Sequence, residues 1–184
     1  MIQEHGLKDF RAAKTKAGER LGLEDSGALP SNEEVAAAMS ERNRIFRGDE
    51  HDVLIRELRN AALRMMRELH QFDAKLVGPV LAGSASDWSS IDLHAFSDSA
   101  EAVGAVLDGL GLANRPWVHR LRTRRDTADL YPGYRFSDGE FDFTVTVFPE
   151  RGRGNAPLST IDGRPERRAT TKDVEALVAG DPST

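Results

Sequence analysis

Gly83 and Ser84 close an apolar run, Leu76-Val-Gly-Pro-Val-Leu-Ala, and a short polar stretch leads from them to a second run, Ile91-Asp92-Leu93-His94-Ala95-Phe96. That order of glycine, hydroxyl and carboxylate suits phosphate chemistry. Glycine lets a backbone come close to a ligand, Ser84 adds a hydroxyl donor, and Asp92 stands where a metal-binding carboxylate would be useful. Alternation along the second run sends Ile91, Leu93 and Ala95 one way and Asp92 and His94 the other. Further on, Phe141, Phe143, Val145 and Val147 form an apolar set that leaves Asp142, Thr144 and Thr146 together on the opposite face.

Basic residues supply the other half of a phosphate site. Arg120, Arg122 and Arg124 alternate on one strand, and Arg56, Arg64 and Arg67 fall on one side of a helix. Either cluster could receive triphosphate or nucleic acid. The strand cluster is the better placed of the two, and the helix arginines are expected to be solvated. His119 is expected to be structural. In the polar loop, Trp88 is expected to pack back on the domain rather than stack on a base, and Asp87 to cap the local turn.

The elements that must position these residues follow from periodicity and caps. Leu7, Phe10, Ala13, Ala17 and Leu21 give an amphipathic helix from Gln3 to Leu21 that stops at Gly22. Ser31-Asn-Glu-Glu34 is a capping box opening a second helix to about Phe46. Gly48-Asp49 separates it from a third, from Glu50 to Phe72, with Leu54, Leu58, Ala61, Met65 and Leu69 on one stripe. After residue 75 the period changes to two. Lys75 to Gly83 and Ile91 to Phe96 read as neighbouring strands, and Asp98-Ser-Ala-Glu101 as a capping box for a helix ending near Gly109 to Gly111. Trp117 to Arg124, Tyr134 to Ser137 and Glu140 to Phe148 read as strands, the last two joined by the hairpin dipeptide Asp138-Gly139. Thr170 to Ala179 is a final short helix.

Composition bounds the answer. A chain of 184 residues with 39% hydrophobic content is one domain with a real core, or a small domain plus a helical extension. With 25 Lys and Arg against 30 Asp and Glu, its whole surface is not committed to nucleic acid. There is no cysteine, which removes disulfides and thiolate-zinc sites. No run approaches membrane-spanning length, and Met1-Ile-Gln-Glu-His-Gly carries no apolar signal core, so a cytoplasmic location is expected and no membrane partner.

Gly83-Ser84 followed by Asp92 on the next strand resembles the signature of the nucleotidyltransferase (polymerase-beta-like) superfamily, with His94 where that superfamily carries its second carboxylate. The segments Lys14 to Gly22, Leu29 to Glu34, Leu76 to Gly83, Leu93 to Phe96 and Ala156 to Ala169 together are similar to a bacterial nucleotidyltransferase-like family with Asp-x-His in place of Asp-x-Asp. That similarity covers nearly the whole chain. It implies an α+β fold in which an N-terminal helical region, residues 1–74, packs on a small mixed-sheet core, residues 75–184. It further implies that Gly83 and Ser84 cradle a nucleoside triphosphate, that Arg122 and Arg124 steady its charge, and that Asp92 and Asp142 are catalytic acids holding a divalent ion with His94. Hard cations such as magnesium prefer oxygen, whereas an imidazole favours manganese, zinc or nickel. The implied activity is metal-dependent transfer of a nucleotidyl group from a nucleoside triphosphate to an acceptor. The alternative is a catalytically impaired nucleotide-binding module, or one that docks a protein partner through its N-terminal helices. Nucleic acid as a partner is left open.

Overall fold

The computed structural model describes residues 30–124 and 127–180. The helix predicted from Gln3 to Leu21 lies outside them. Helix α1, Asn32–Glu68, starts on the predicted capping box, in which Ser31 Oγ accepts from the Glu34 amide at 3.1 Å and the Ser31 amide donates to Glu34 Oε2 at 2.7 Å. The expected break occurs within this one element as a kink at Gly48, whose backbone leaves the helical region at φ 29 and ψ −113. Beyond the kink the predicted stripe is inward: Leu58, Ala61, Met65 and Leu69 are buried, joined by Ile55, Ala62 and Met66. A 3-10 turn, His70–Phe72, carries the chain to the sheet.

Strand β1, Lys75–Val77, is followed at once by helix α2, Gly78–Ala82. Here the expected strand from Lys75 to Gly83 is overturned. Gly78 adopts φ 71, which turns the chain out of the sheet, and Pro79 occupies the first helical turn, where its fixed φ and missing N–H cost nothing. Then come β2, Ile91–Phe96; α3, Ala100–Gly109; β3, Asn114–Arg124; β4, Thr127–Ser137; β5, Asp142–Phe148; a 3-10 turn, Glu150–Gly152; and α4, Thr171–Ala179. The N-cap of α3 is Ser99, accepting from the Ala102 amide, so the predicted box is one residue out of register. Asp98 instead accepts from the amide of Glu150. On α4 the cap is reciprocal between Thr170 and Asp173.

The five strands form one sheet in the order β1-β2-β5-β4-β3, antiparallel except for the parallel pair β2 and β5. This is the expected α+β class with a mixed sheet. One face carries Leu76, Ile91, Leu93, Ala95, Phe143, Val145, Val147, Tyr134 and Phe136, which share a core with α1, with Val103 and Leu107 of α3 and with Val174 of α4. Phe136 and Phe143 stack across the hairpin with centroids 5.1 Å apart. The Asp138-Gly139 turn is present, with Asp138 Oδ1 accepting from the amides of Glu140 and Phe141. Strand β4 begins well before the predicted Tyr134, and its residues Thr127 to Pro132 pair with β3 alone. Among the described residues no helix is long and apolar enough to cross a membrane.

Candidate functional site

The helix that replaces the second half of the predicted first strand changes what Gly83 and Ser84 can do. Gly83 is the left-handed C-cap of α2. Its amide points back to the carbonyl of Val80, and the amide of Ser84 donates to Pro79 O at 2.9 Å. The helix therefore presents its carbonyl end here, and those carbonyls are met by cations and donors. Arg59 reaches Val80 O and Leu81 O, and His51 Nε2 lies 2.9 Å from Gly83 O. A helix C-terminus carries partial negative charge, and both amides are spent on the cap, so the expected phosphate cradle from Gly83 and Ser84 does not form. Of the loop that follows, Trp88 is 69% exposed and does not pack back on the domain as expected.

The polar face of the sheet is where Asp92 and His94 sit. The register sets Asp92 beside Thr144 and His94 beside Thr146, and through β4 it continues to Arg135 and Gly133. Strand alternation adds Trp117, His119 and Tyr131 from the hairpin. Asp92 is half-buried. Its Oδ1 accepts from Ser90 Oγ at 2.9 Å, and its Oδ2 lies so near Gly78 that a Cβ there would be 3.2 Å away.

His94 is almost fully buried, 3% exposed, against the Phe148 ring at 4.5 Å between centroids. The segment after β5 returns across it. Arg168 Nε donates to His94 Nδ1 at 3.1 Å while Nη1 donates to the carbonyls of Gly152 and Arg153, and its guanidinium lies over the rings of Phe96 and Phe148 at 4.9 and 4.7 Å. Since Arg168 donates, Nδ1 of His94 holds the lone pair and Nε2 carries the proton. That proton faces Glu166, whose Oε2 is 3.7 Å from Nε2, beyond a direct hydrogen bond.

Burial, reinforced by the positive Arg168 and then by His119, holds the His94 imidazole well below the usual histidine range, so it is neutral at pH 7. Burial also acts on Glu166. It pushes this carboxyl up to about 7, with the neighbouring Asp92 adding to the rise and Arg168 opposing it. Asp92 and Glu166 therefore form an interacting acid pair, one of whose members is poised near neutrality. Nη2 of Arg168 is buried and has no hydrogen-bond partner among the described residues.

The implied divalent ion does not fit this arrangement. Among the described residues no three His, Asp or Glu side chains are grouped to hold a metal. Asp142 does lie on the same face as Asp92 by alternation, yet it is the exposed first residue of β5, opposite Ser137, and stands a full two-residue repeat, about 7 Å, before the rung of Asp92. His94 has its lone pair engaged by Arg168. Moving its proton to Nδ1 to free Nε2 for a metal would bring two N–H groups face to face. The expected set of Asp92, His94 and Asp142 is therefore not brought together.

The strand arginines are on the wrong side. Arg120 and Arg122 share the alternation of Val118 and Tyr134, the face opposite Asp92 and His94. Arg122 is exposed there, and Arg124 ends β3 beyond a register shift. The helix arginines behave as expected in two cases: Arg64 and Arg67 are exposed, Arg67 pairing with Glu175 at 2.8 Å, whereas Arg56 is half-buried. A separate cleft of about 420 Å³, lined by Glu57, Asn60, Leu63, Arg64 and Arg67 of α1 with Glu140 and Phe141, shares no residue with the polar face. His119, expected to be structural, belongs to that polar face, 3.2 Å from Thr146 Oγ1.

Glu166 and Arg168 are the residues that sequence reasoning did not single out. The segment Pro165-Glu-Arg-Arg-Ala169 contained the signal, an acid and arginines between a proline and a capping box, but its partners are on β2, more than 70 positions earlier. What fold and site define is an α+β protein whose mixed sheet buries a histidine beneath a returning segment that sets an arginine on it and a glutamate beside the half-buried Asp92. Compared with protein-family models and with curated proteins, the chain matches none.

Proposed function

We propose that this chain is a nucleotidyltransferase-like module that binds the phosphate of a nucleotide but is impaired in nucleotidyl transfer. The observation that carries the proposal is Arg168. Its Nε engages the lone pair of His94 that a metal would need, and its Nη2 is buried without a partner among the described residues, a donor suited to a phosphate oxygen. Exposed Trp88, in the loop leading to Asp92, supports the reading as a surface on which a base can stack. A second reading, retained transfer from a nucleoside triphosphate to an acceptor, is favoured by the Asp92 and Glu166 pair, two carboxylates where the expected third acid fails to arrive.

The test is titration of the protein with a nucleoside triphosphate panel in magnesium or manganese, following tryptophan fluorescence and pyrophosphate release together. Binding without release is expected. Arg168→Ala should weaken binding at least tenfold, and Arg122→Ala, on the far face, should leave it unchanged. Magnesium-dependent release by the native chain, lost in both Asp92→Ala and Glu166→Gln, would establish the second reading. Absence of binding by every nucleotide would remove both.

A further inference from the structure

The β3 and β4 ribbon runs past the sheet that roots it. Residues 133–137 of β4 pair with β5, but Thr127 to Pro132 pair only with β3, so among the described residues half of the ribbon has no third strand, and its outer edge is met by the amide of Leu158, which donates to the carbonyl of Arg122 at 2.6 Å. On the face continuous with the core side, the cross-strand pairs are Val118 with Pro132, Arg120 with Leu130, and Arg122 with Ala128. This part of the face is open. Val118 is 57% exposed and Leu130 68%, and Arg120, Arg122 and Pro132 are exposed as well. Neither Arg120 nor Arg122 has a side-chain hydrogen bond or an ion pair among the described residues, although acids outnumber bases in the chain as a whole.

Charge is distributed unevenly. Residues 114–123 and 127–137 hold Arg115, Arg120, Arg122 and Arg135 against Asp129 alone, in a chain of net charge −5. A polyanion is therefore repelled by most of the molecule and attracted by the ribbon, which orients an approach with the ribbon leading. Every basic residue in those two stretches is an arginine, whose planar fork matches phosphate and base edges better than a lysine point charge. Two strands about 4.8 Å apart, covered at their far end by no helix among the described residues, are narrow enough for a major groove about 12 Å wide.

We infer that the exposed face of this ribbon binds duplex nucleic acid, with Arg120 and Arg122 on phosphates and Leu130 and Val118 on the groove wall. The contact is on the opposite side of the sheet from Asp92 and His94 and does not depend on what those residues bind.

The experiment is fluorescence anisotropy of the full chain with a labelled 20-base-pair DNA duplex, across salt from 50 to 200 mM. Micromolar binding is expected, with affinity falling as salt rises. In Arg120→Ala/Arg122→Ala the salt dependence should flatten by nearly two counterions, so that the loss over that salt range is about 12-fold smaller than in the native chain. Arg120→Lys/Arg122→Lys should keep the native slope, and Arg64→Ala, an exposed arginine on α1, should change nothing. Unchanged melting temperatures will show that the variants are folded. No binding, or an unchanged slope in the alanine pair, would overturn the inference. So would poly-glutamate competing as well as DNA does, because the surface would then fit an acidic protein.

Discussion

Glu166 offers the most direct check on the buried site, because its ionisation couples to folding. In the unfolded chain it titrates near 4.5; in the fold, burial first and Asp92 second push it up to about 7. Between those values the native state holds a proton that the unfolded state has released, so stability falls as pH rises through this window. The contribution is fully present below pH 4.5 and gone above about pH 7. Its size, from the displacement of the carboxyl, is about 3 kcal/mol. His94 works in the opposite sense: held below its ordinary range, it makes the unfolded chain the better proton binder below pH 6.5, so its contribution is lost as pH falls. Glu166→Gln removes the first effect and keeps the second. Urea unfolding of the native protein and the variant from pH 4 to 8 should therefore give curves that diverge upward in pH, the variant gaining about 3 kcal/mol relative to the native chain across the range. Asp92→Asn should reproduce only part of that change, since burial remains. Parallel curves for native and Glu166→Gln would refute the buried acid and with it the placement of residue 166 beside His94.

Two further outcomes test the packing that supports the site. Gly133 lies where a Cβ would collide with the backbone carbonyl of Val145, so Gly133→Ala should either open the β4 and β5 ladder or cost at least 2 kcal/mol, read as a lower urea midpoint. Thr170→Ala removes the reciprocal cap of α4 and should cost about 1 kcal/mol, with the loss visible as faster amide exchange at the start of that helix.

Much of the fold was legible in the chain because its signals are local. The Ser31 and Thr170 caps, the break at Gly48, the Asp138-Gly139 hairpin and the alternation of β2 and β5 each depend on residues within a few positions of one another. The stretch from Lys75 to Gly83 misled because its apolar run fits a buried strand as well as a short buried helix. Gly78-Pro79, the punctuation that decides for the helix, was outweighed by that run. The first half of strand β4 is not legible in the sequence, where Pro132-Gly133 is loop punctuation; the ribbon tolerates Pro132 where β4 has no described neighbour other than β3. The site was legible only in its first half. Asp92 and His94 announce themselves by spacing, but whether His94 meets a metal or an arginine depends on a segment that follows the last strand, and no periodicity connects the two.

That same segment sets the order in which the molecule can be completed. Leu76 and Ala169 exchange two backbone hydrogen bonds, at 3.0 and 2.9 Å, sealing the outer edge of β1 with residues made long after it. During synthesis, therefore, β1, β2 and the hairpin can all have left the ribosome while His94, Phe96 and Phe148 still lack the arginine that covers them. A nascent chain stopped short of Arg168 would present a bare strand edge beside uncovered aromatic rings, the combination that recruits holding chaperones or other partly made chains. The segment from Pro165 to Ala169 thus does for the folded protein what a chaperone must do for a chain that does not yet have it.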